Sequence, residues 1–398
     1  MARQNNKTVL WMSLLLAFVF SEIMIRHFLP EIGLALRKDE LLGWSNDNFQ
    51  TFNPKGKPKN KNTKRILFLG DSFLAGSGLE ELEQRFPDQL KKVMKPNNEI
   101  HTLASGGWGT DQQLLAYLLK GRAWQPDLVV LAFCANNDIA NILSNQHGTL
   151  PLKSYFVLDE HENLTLYNGI GQPLNLLDFS SAKTQNETKQ PGSYAFNLFS
   201  HHFKNSFFKK KPAQNNSFQN VDKRYLSFNF SKEKPEELYA QKEPLSWAPQ
   251  NGVNHVSAYI HEDFETNRYQ WRLLKGILKE FKAQVENNHA KLALLLLPVI
   301  FNPRDLSSIA GGTFTHQYQT KEGSFTFRAD EPKKRLQKIT QDLEIIFLDP
   351  TEAFIKEVEQ NHDVQKIWSS PTDRHFNAKG HQIIADLLAD KIRKLVQD

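Results

Sequence analysis

The sequence predicts an α/β protein in which helices cover both faces of a parallel sheet, a three-layer, doubly wound arrangement. Short apolar runs alternate along the chain with longer amphipathic segments, which is the pattern of β–α–β units. The run 128–134 is apolar at every position, which indicates a strand that is buried on both faces. With 398 residues, 40% of them hydrophobic, the chain is long enough to bury the core that this fold needs.

Two groups of predicted elements make up one domain, which we place at 65–398. The first group alternates strands at 65–69, 100–103 and 128–134 with helices at 87–95 and 111–120. Pro87 suits the first turn of a helix, and Thr110 with Gln113 three residues later is typical of a capping box. The second group has a helix at 267–287, strands at 292–297 and 345–348, and a terminal amphipathic helix at 378–396.

A long insertion, from about 142 to 265, separates the two groups, because the alternation stops there. The runs 155–158 and 164–167 flank a polar segment and predict a β-hairpin. Between 180 and 242 the chain is rich in Asn, Lys, Ser and Phe. This composition fits a partly flexible lid or cap over a site, and it fits a disordered segment equally well.

The N-terminal residues 1–30 contain a candidate membrane segment. Residues 8–25 are mostly apolar and follow two basic residues, as in a signal peptide or an uncleaved anchor. We favour the anchor, since no small-x-small cleavage site follows the apolar run, and we expect the domain to lie outside the cytoplasm. The alternative is an amphipathic helix packed on the domain, which Glu22 supports.

A basic linker, 31–64, joins this segment to the domain. Six Lys and Arg residues without an acid lie between 53 and 65, and they either face solvent or contact anionic lipid headgroups. Leu42, Gly43 and Trp44 interrupt the polar linker. We expect these three residues to pack on the domain.

Charge and cysteine content exclude several classes of protein. The net charge of +5 is modest for this length, and no zinc-ligand pattern, phosphate loop or nucleic-acid motif accompanies it. Nucleic acid is therefore not an expected partner. Cys134 is the only cysteine, which excludes an internal disulfide, and its apolar run predicts a core residue.

Three short polar motifs stand beside the predicted strands and the last helix. Gly70-Asp71-Ser72-Phe73 follows the first strand, Asn136-Asn137-Asp138 follows the third, and Asp373-Arg374-His375 precedes the terminal helix. Open parallel sheets bind ligands at the carboxyl ends of their strands, so we expect the motifs to meet in one crevice. A serine hydroxyl becomes a good nucleophile beside a base, and an imidazole suits that task near neutral pH.

Together with a glycine-rich segment, 105–110, these motifs resemble the four sequence blocks of the SGNH hydrolases, also called the GDSL esterase and lipase family. The resemblance covers about 65–150 and 265–398, and it implies a flavodoxin-like sheet with the strand order 2-1-3-4-5. The chain departs from the family at Ala135, where Gly is usual, and in the spacing of two between Asp373 and His375. That spacing also occurs in membrane-bound and acyltransferase branches.

The resemblance implies a role for each residue of the site. Ser72 is the nucleophile, His375 is its base, and Asp373 orients the imidazole and stabilises its cation. The backbone N–H groups of Ser72 and Gly107 and the side-chain amide of Asn137 form the oxyanion hole. This chemistry requires no metal and no organic cofactor.

Other residues near the motifs have structural interpretations. Gly106 is the alternative to Gly107 as an oxyanion donor. We expect Asp71 and Asp138 to accept hydrogen bonds from loop N–H groups, and His381 to have a structural role inside the last helix.

The leading hypothesis is a membrane-anchored serine esterase that removes an acyl group, preferably acetyl, from a cell-envelope carbohydrate or a lipid. An O-acyltransferase of the same fold is the alternative. The anchor, the cap and the Asp373–His375 spacing favour it, as would aromatic residues that stack in the cleft, for which Trp108 is a candidate. A second alternative is a catalytically silent glycan-binding or assembly protein.

Overall fold

The structure is a computed structural model. It describes residues 36–46, 49, 52–53, 59–60, 62–94, 98–145, 147, 150–176, 257–263, 265–299, 309–320, 323–361, 367 and 375–397. The predicted anchor at 1–30 and the lid or disordered segment at 180–242 lie outside the described residues. Within the described part of the chain, no helix is both long and apolar enough to cross a membrane.

The described strands form one central sheet and three smaller ones. The strands are β1 (Arg37–Asp39), β2 (Gly43–Ser45), β3 (Lys64–Gly70), β4 (Asn98–Ala104), β5 (Leu128–Phe133), β6 (Tyr155–Leu158), β7 (Leu164–Tyr167), β8 (Pro173–Leu174), β9 (Lys291–Leu296), β10 (Thr315–Thr320), β11 (Gly323–Arg328) and β12 (Ile346–Leu348). The helices are α1 (Ser72–Ala75), α2 (Phe86–Val93), α3 (Thr110–Ala116), α4 (Ala135–Asn141), α5 (Glu265–Glu286), α6 (Glu331–Asp342), α7 (Thr351–Asn361) and α8 (Ala378–Gln397).

The central sheet is parallel throughout and has the order β12-β9-β5-β3-β4. Counted along the chain within this sheet alone, the order is 2-1-3-4-5, as expected, and the predicted α/β class with a parallel sheet is confirmed. Gly70 at the end of β3 pairs with Ala104 at the end of β4. The segments that follow β3, β4 and β5 therefore begin at the same edge of the sheet.

Helices cover both faces of this sheet, because successive side chains of a strand point to opposite sides. Leu67 and Leu69 of β3 enter a core that includes residues of α3 and α5, whereas Ile66 and Phe68 enter a second core with residues of α2 and α8. All four of these side chains are fully buried. Burial on both sides explains why β5 is apolar at every position.

The predicted hairpin at the start of the insertion is confirmed. Strands β6 and β7 pair antiparallel, with Tyr155 opposite Tyr167 and Leu158 opposite Leu164. A third strand, β8, pairs with β7. Phe156 of β6 belongs to the same core as α5, so this hairpin packs on the domain.

Some elements have no clear signal in the sequence. In the hairpin of β10 and β11, strand β10 has a mostly polar sequence, and β11 contributes Phe325 and Phe327 to the buried interior. Helix α6 is strongly polar, with Leu336 and Ile339 as its buried aliphatic residues. A weak apolar period of this kind does not distinguish an amphipathic helix from a loop.

The predicted capping box is wrong. Thr110 is the first residue of α3 rather than its cap, and both its hydroxyl and the Gln113 amide donate to Asp138 Oδ1, at 3.1 and 2.9 Å. Gln112 instead accepts from the Gly109 N–H at 3.1 Å. A buried carboxylate from another element is a stronger partner than the backbone N–H of the predicted cap.

The described part of the predicted linker packs on the domain, as expected for Leu42 and Trp44. Strands β1 and β2 form a short antiparallel hairpin. Leu42 and Trp44 are fully buried in the core that also includes α3 and α5.

Candidate active site

Ser72 lies directly beyond the carboxyl end of β3, at the start of α1. Asp71 makes the turn between the two elements, since its Oδ1 accepts from the Phe73 N–H at 3.0 Å. Gly70 leaves no room for a side chain, because a Cβ there would lie 2.9 Å from side-chain atoms of Leu74. Asp71 and Phe73 are buried while Ser72 is only half-buried, so the turn presents the serine hydroxyl at the surface.

His375 meets Ser72 from the other end of the chain. Its Nε2 lies 2.8 Å from Ser72 Oγ, although 303 positions separate the two residues. The ring packs against Phe73 with 4.7 Å between the ring centroids, and the following residue, Phe376, is fully buried. Asn377 then caps α8 by accepting from the Lys379 N–H at 3.0 Å. The predicted carboxylate partner, Asp373, lies outside the described residues.

The glycine-rich segment passes beside Ser72. A Cβ at Gly106 would lie 3.9 Å from Ser72 Cβ, an ordinary contact distance. Gly107 has a φ of +73°, a left-handed conformation that favours glycine, and a Cβ there would lie 3.2 Å from the His147 ring. Glycine at 107 is therefore required by the backbone conformation and by His147. Of the two glycines, Gly106 is the one whose Cα lies beside Ser72.

Asn137 lies on the first turn of α4, beyond the end of β5, and reaches the serine turn. Its Nδ2 donates to Asp71 Oδ2 at 2.6 Å. An amide nitrogen carries two N–H groups, so one remains for a ligand. Asp71 thus orients both the serine turn and the Asn137 amide.

Asp138 holds three segments together from a fully buried position. Its Oδ2 accepts from the Cys134 N–H at 2.6 Å, and its Oδ1 accepts from the two side chains of α3 described above. Asp71 and Asp138 both accept backbone N–H groups, which confirms the structural interpretation of their hydrogen bonds. Neither residue contacts the imidazole directly in the described hydrogen bonds.

Burial dominates the electrostatics of these carboxylates. It raises the pKa of Asp71 above the usual value, while the Asn137 N–H and a charge on His375 oppose that rise. The pKa of Asp138 is raised well above its usual value by burial and by the nearby Asp71. Burial also raises the pKa of the Cys134 thiol, which is fully buried as the sequence predicted.

Two further expectations have opposite outcomes. His381 is fully buried and its Nδ1 accepts from the Phe86 N–H at 3.2 Å, which confirms a structural role. The prediction that Trp108 stacks in the cleft is wrong. Trp108 is fully buried, packs edge-on against Phe49 and donates from Nε1 to the Trp44 carbonyl. Its polar N–H finds a backbone partner inside the core.

Several residues that contact the site belong to none of the motifs recognised in the sequence. Trp44 donates to the Gly106 carbonyl at 2.8 Å, and Asn141 donates to the Gly107 carbonyl at 2.9 Å. Tyr259, near the end of the insertion, donates from its hydroxyl to Asn136 Oδ1 at 2.7 Å. Asn141 alone has a usable signal, because it lies four residues after Asn137 and thus on the same face of a helix.

No protein-family model and no curated protein matches this sequence. Solved structures resemble the fold at low identity. A two-domain esterase active on acetylated mannans has a TM-score of 0.37 and 11% identity over 84% of this chain, which spans only half of that esterase. An acetyl xylan esterase has a TM-score of 0.37 and 11% identity over 82% of this chain and 99% of its own.

A psychrotrophic esterase from Pseudoalteromonas sp. has a TM-score of 0.36 and 10% identity, over 84% of this chain and 100% of its own. Similarity at this level leaves the chemistry to be argued from the residues of this chain. A hydroxyl, an imidazole within hydrogen-bond distance and nearby amide donors are the components that acyl transfer to a serine requires.

Proposed function

We propose that this protein is a serine esterase that works through an acyl-enzyme intermediate. The observation that carries the proposal is the 2.8 Å approach of His375 Nε2 to Ser72 Oγ. A base within this distance can take the hydroxyl proton as the oxygen attacks. The long separation of the two residues in the sequence makes their approach a property of the fold.

In the proposed reaction Ser72 Oγ attacks the ester carbonyl while its proton passes to His375 Nε2. The oxyanion is stabilised by the N–H groups of Ser72 and Gly107 and by the Asn137 amide. His375 then gives the proton to the departing alcohol, which leaves an acyl-serine. Water attacks this ester with the same imidazole as its base, and the carboxylic acid and the free serine result.

We assign Asp373 to the carboxylate that accepts the Nδ1–H of His375. A carboxylate in that position fixes the tautomer with an unprotonated Nε2 and stabilises the imidazolium that forms. The support for this assignment is the resemblance of the motif Asp373-Arg374-His375 to the last block of the SGNH hydrolases.

The proposed substrate is an acylated, preferably acetylated, carbohydrate or lipid of the cell envelope. We propose that residues 8–25 anchor the protein in a membrane, with the domain outside the cytoplasm. Support comes from the apolar sequence of this segment and the basic residues before it. Fractionation of cells, with protease added to intact spheroplasts, tests this location.

Transfer of the acyl group to a sugar hydroxyl is the alternative to hydrolysis, and a silent binding protein is the second. The buried position of Trp108 removes one feature that would have favoured transfer. The two reactions share the acyl-enzyme and differ only in its acceptor. Adding glycerol or a glycan as acceptor to the assay would divert the product from acid to ester if transfer prevails.

The test is ester hydrolysis by the full chain in detergent, with p-nitrophenyl acetate and longer esters. We expect Ser72→Ala and His375→Ala each to lower turnover by about 10³-fold or more. Ser77→Ala, in the turn after α1, is the matched control and should keep full activity. If the folded wild-type protein neither hydrolyses esters nor labels at Ser72 with a fluorophosphonate, the protein is a silent binder.

A further inference from the structure

One residue outside the four motif blocks holds the glycine-rich segment in place. Trp44, on β2, is fully buried, and its indole Nε1 donates to the Gly106 carbonyl oxygen at 2.8 Å. The two residues are 62 positions apart. Trp44 therefore contacts the peptide group that joins Gly106 to Gly107.

Because a peptide group is rigid, this contact also fixes the direction of the Gly107 N–H. The group is planar and trans, since the described chain has no cis peptide bond. The N–H of Gly107 thus points away from the carbonyl oxygen of Gly106, and so away from Trp44. The Cα of Gly106 lies beside Ser72, because a Cβ on it would contact Ser72 Cβ.

A peptide between two glycines needs such a restraint. Glycine populates left- and right-handed conformations with similar ease, so this peptide group can rotate at little cost unless its polar atoms are held. The next carbonyl, that of Gly107, is held by the Asn141 amide at 2.9 Å. For the Gly106 carbonyl, the hydrogen bond within the described residues comes from Trp44.

Trp44 is itself fixed by its surroundings. Its carbonyl accepts from the Trp108 indole at 2.8 Å. On either side, the Leu42 carbonyl accepts from the Gln112 side chain at 2.7 Å, and the Asn46 side chain donates to the Ala104 carbonyl at 2.6 Å. The segment 42–46 is thus bonded to the end of β4, to the glycine loop and to α3.

We propose that Trp44 is a positioning residue of the esterase site: by holding the Gly106 carbonyl, it aims the Gly107 N–H at the oxyanion. The inference rests on the proposed function and adds to it a residue from the N-terminal hairpin. It also favours the Gly107 N–H over that of Gly106 as the oxyanion donor. The effect acts in the transition state, where negative charge develops on the carbonyl oxygen.

The test removes the indole N–H and keeps the shape of the ring. Site-specific incorporation of β-(3-benzothienyl)alanine at position 44 replaces N–H by sulfur, and Trp44→Phe is the genetically simpler variant. Trp271→Phe is the matched control, because Trp271 is also buried in the same core and its N–H has no partner in the described part of the chain. Full-length proteins in detergent are compared with p-nitrophenyl acetate as substrate.

We expect both changes at position 44 to lower kcat by about 10- to 100-fold with KM within about twofold, and to slow labelling of Ser72 by a fluorophosphonate to a similar degree. Trp271→Phe should leave kcat unchanged. A folded benzothienylalanine protein with wild-type kcat, or one in which only KM rises, would overturn the role of Trp44. If Ser72→Ala is inactive in the same assay, the proposed esterase function would still stand. Equal turnover by wild-type and Ser72→Ala proteins would instead overturn the proposed function, and this inference with it.

Discussion

At the scale of single residues, the two N–H groups of the Asn137 amide have different roles in the proposed reaction. One N–H of its amide holds Asp71 at 2.6 Å, and the other is available to the substrate. The buried carboxylate keeps the amide in one orientation before any substrate binds. Such preorganisation is what makes an oxyanion donor effective, since no reorientation is needed as charge develops.

Asn137→Ala is expected to lower kcat by about 100-fold with little change in KM, because the donor acts mainly on the transition state. It should also cost about 1 to 3 kcal/mol of stability, since Asp71 loses a partner while buried. Steady-state kinetics and urea unfolding check both effects. Asn145→Ala is the control: it removes another buried amide, bonded to the Gly169 carbonyl, and should lower stability without lowering kcat. A fall in kcat of similar size in both variants would contradict the prediction.

At the scale of elements, helix α8 carries a neutral imidazole into the core. His381 Nδ1 accepts the Phe86 N–H, so the proton of the ring is assigned to Nε2, which is buried without a partner in the described part of the chain. Burial and the positive charge of Arg85 lower the pKa of His381 to about 3. The packing of the helix is therefore more stable while this ring is uncharged.

The stability of the protein should fall in acid because of this ring. Above about pH 6.5 the imidazole is neutral in both the folded and the unfolded chain and has no effect. Below that pH the unfolded chain binds a proton that the folded one refuses, so stability is lost as the pH falls toward about 3. Between pH 6.5 and 4 the loss from this residue is about 3 kcal/mol.

Urea unfolding at pH 7, 5.5 and 4.5 measures this dependence. His381→Gln, which keeps an acceptor and cannot titrate, should flatten the slope and leave the protein less stable at pH 7, where the native packing of the ring is lost. His101, whose pKa burial lowers to about 4, contributes in the same direction, so some slope remains. Equal slopes in wild type and variant would show that His381 does not carry the effect.

At the scale of the whole molecule, a buried ion pair joins the insertion to helix α3. Lys153 Nζ contacts Asp111 Oδ2, and both side chains are fully buried. Burial raises the pKa of Asp111 and lowers that of Lys153, and each charge opposes the shift of the other. The neighbouring Ser154 N–H donates to the Leu41 carbonyl, so the N-terminal hairpin shares this junction.

Lys153→Met should destabilise the protein by about 3 to 5 kcal/mol, because it leaves an unpaired carboxylate in the core. The double variant Lys153→Met with Asp111→Leu should recover most of that loss, since two apolar side chains of similar volume need no charged partner. A double-mutant cycle in urea measures the coupling. Additive losses would mean that the two residues act separately.

The sequence alone indicates much of the fold and the location of the site, for a local reason. Strands β3, β5 and β9 are short runs of buried residues, and their apolar character is visible without knowing their partners. Ser72 and Asn137 follow such runs directly, so the sheet edge that bears them can be predicted from the chain. Residues 315–317 of β10 are exposed, and α6 buries Leu336 and Ile339 among many polar residues, so neither element has a comparable pattern.

Tertiary structure decided the contacts between distant segments. Three contacts join residues from separate elements. His375 approaches Ser72, and Trp44 donates to the Gly106 carbonyl. Thr110 and Gln113 donate to Asp138 instead of forming a helix cap. A hydrophobic period reports which side of an element is buried and not what lies against it. Partner choice depends on how the elements are placed in space, and so the sequence determined the strands and the reactive side chains, while the packing of the chain determined which polar groups meet.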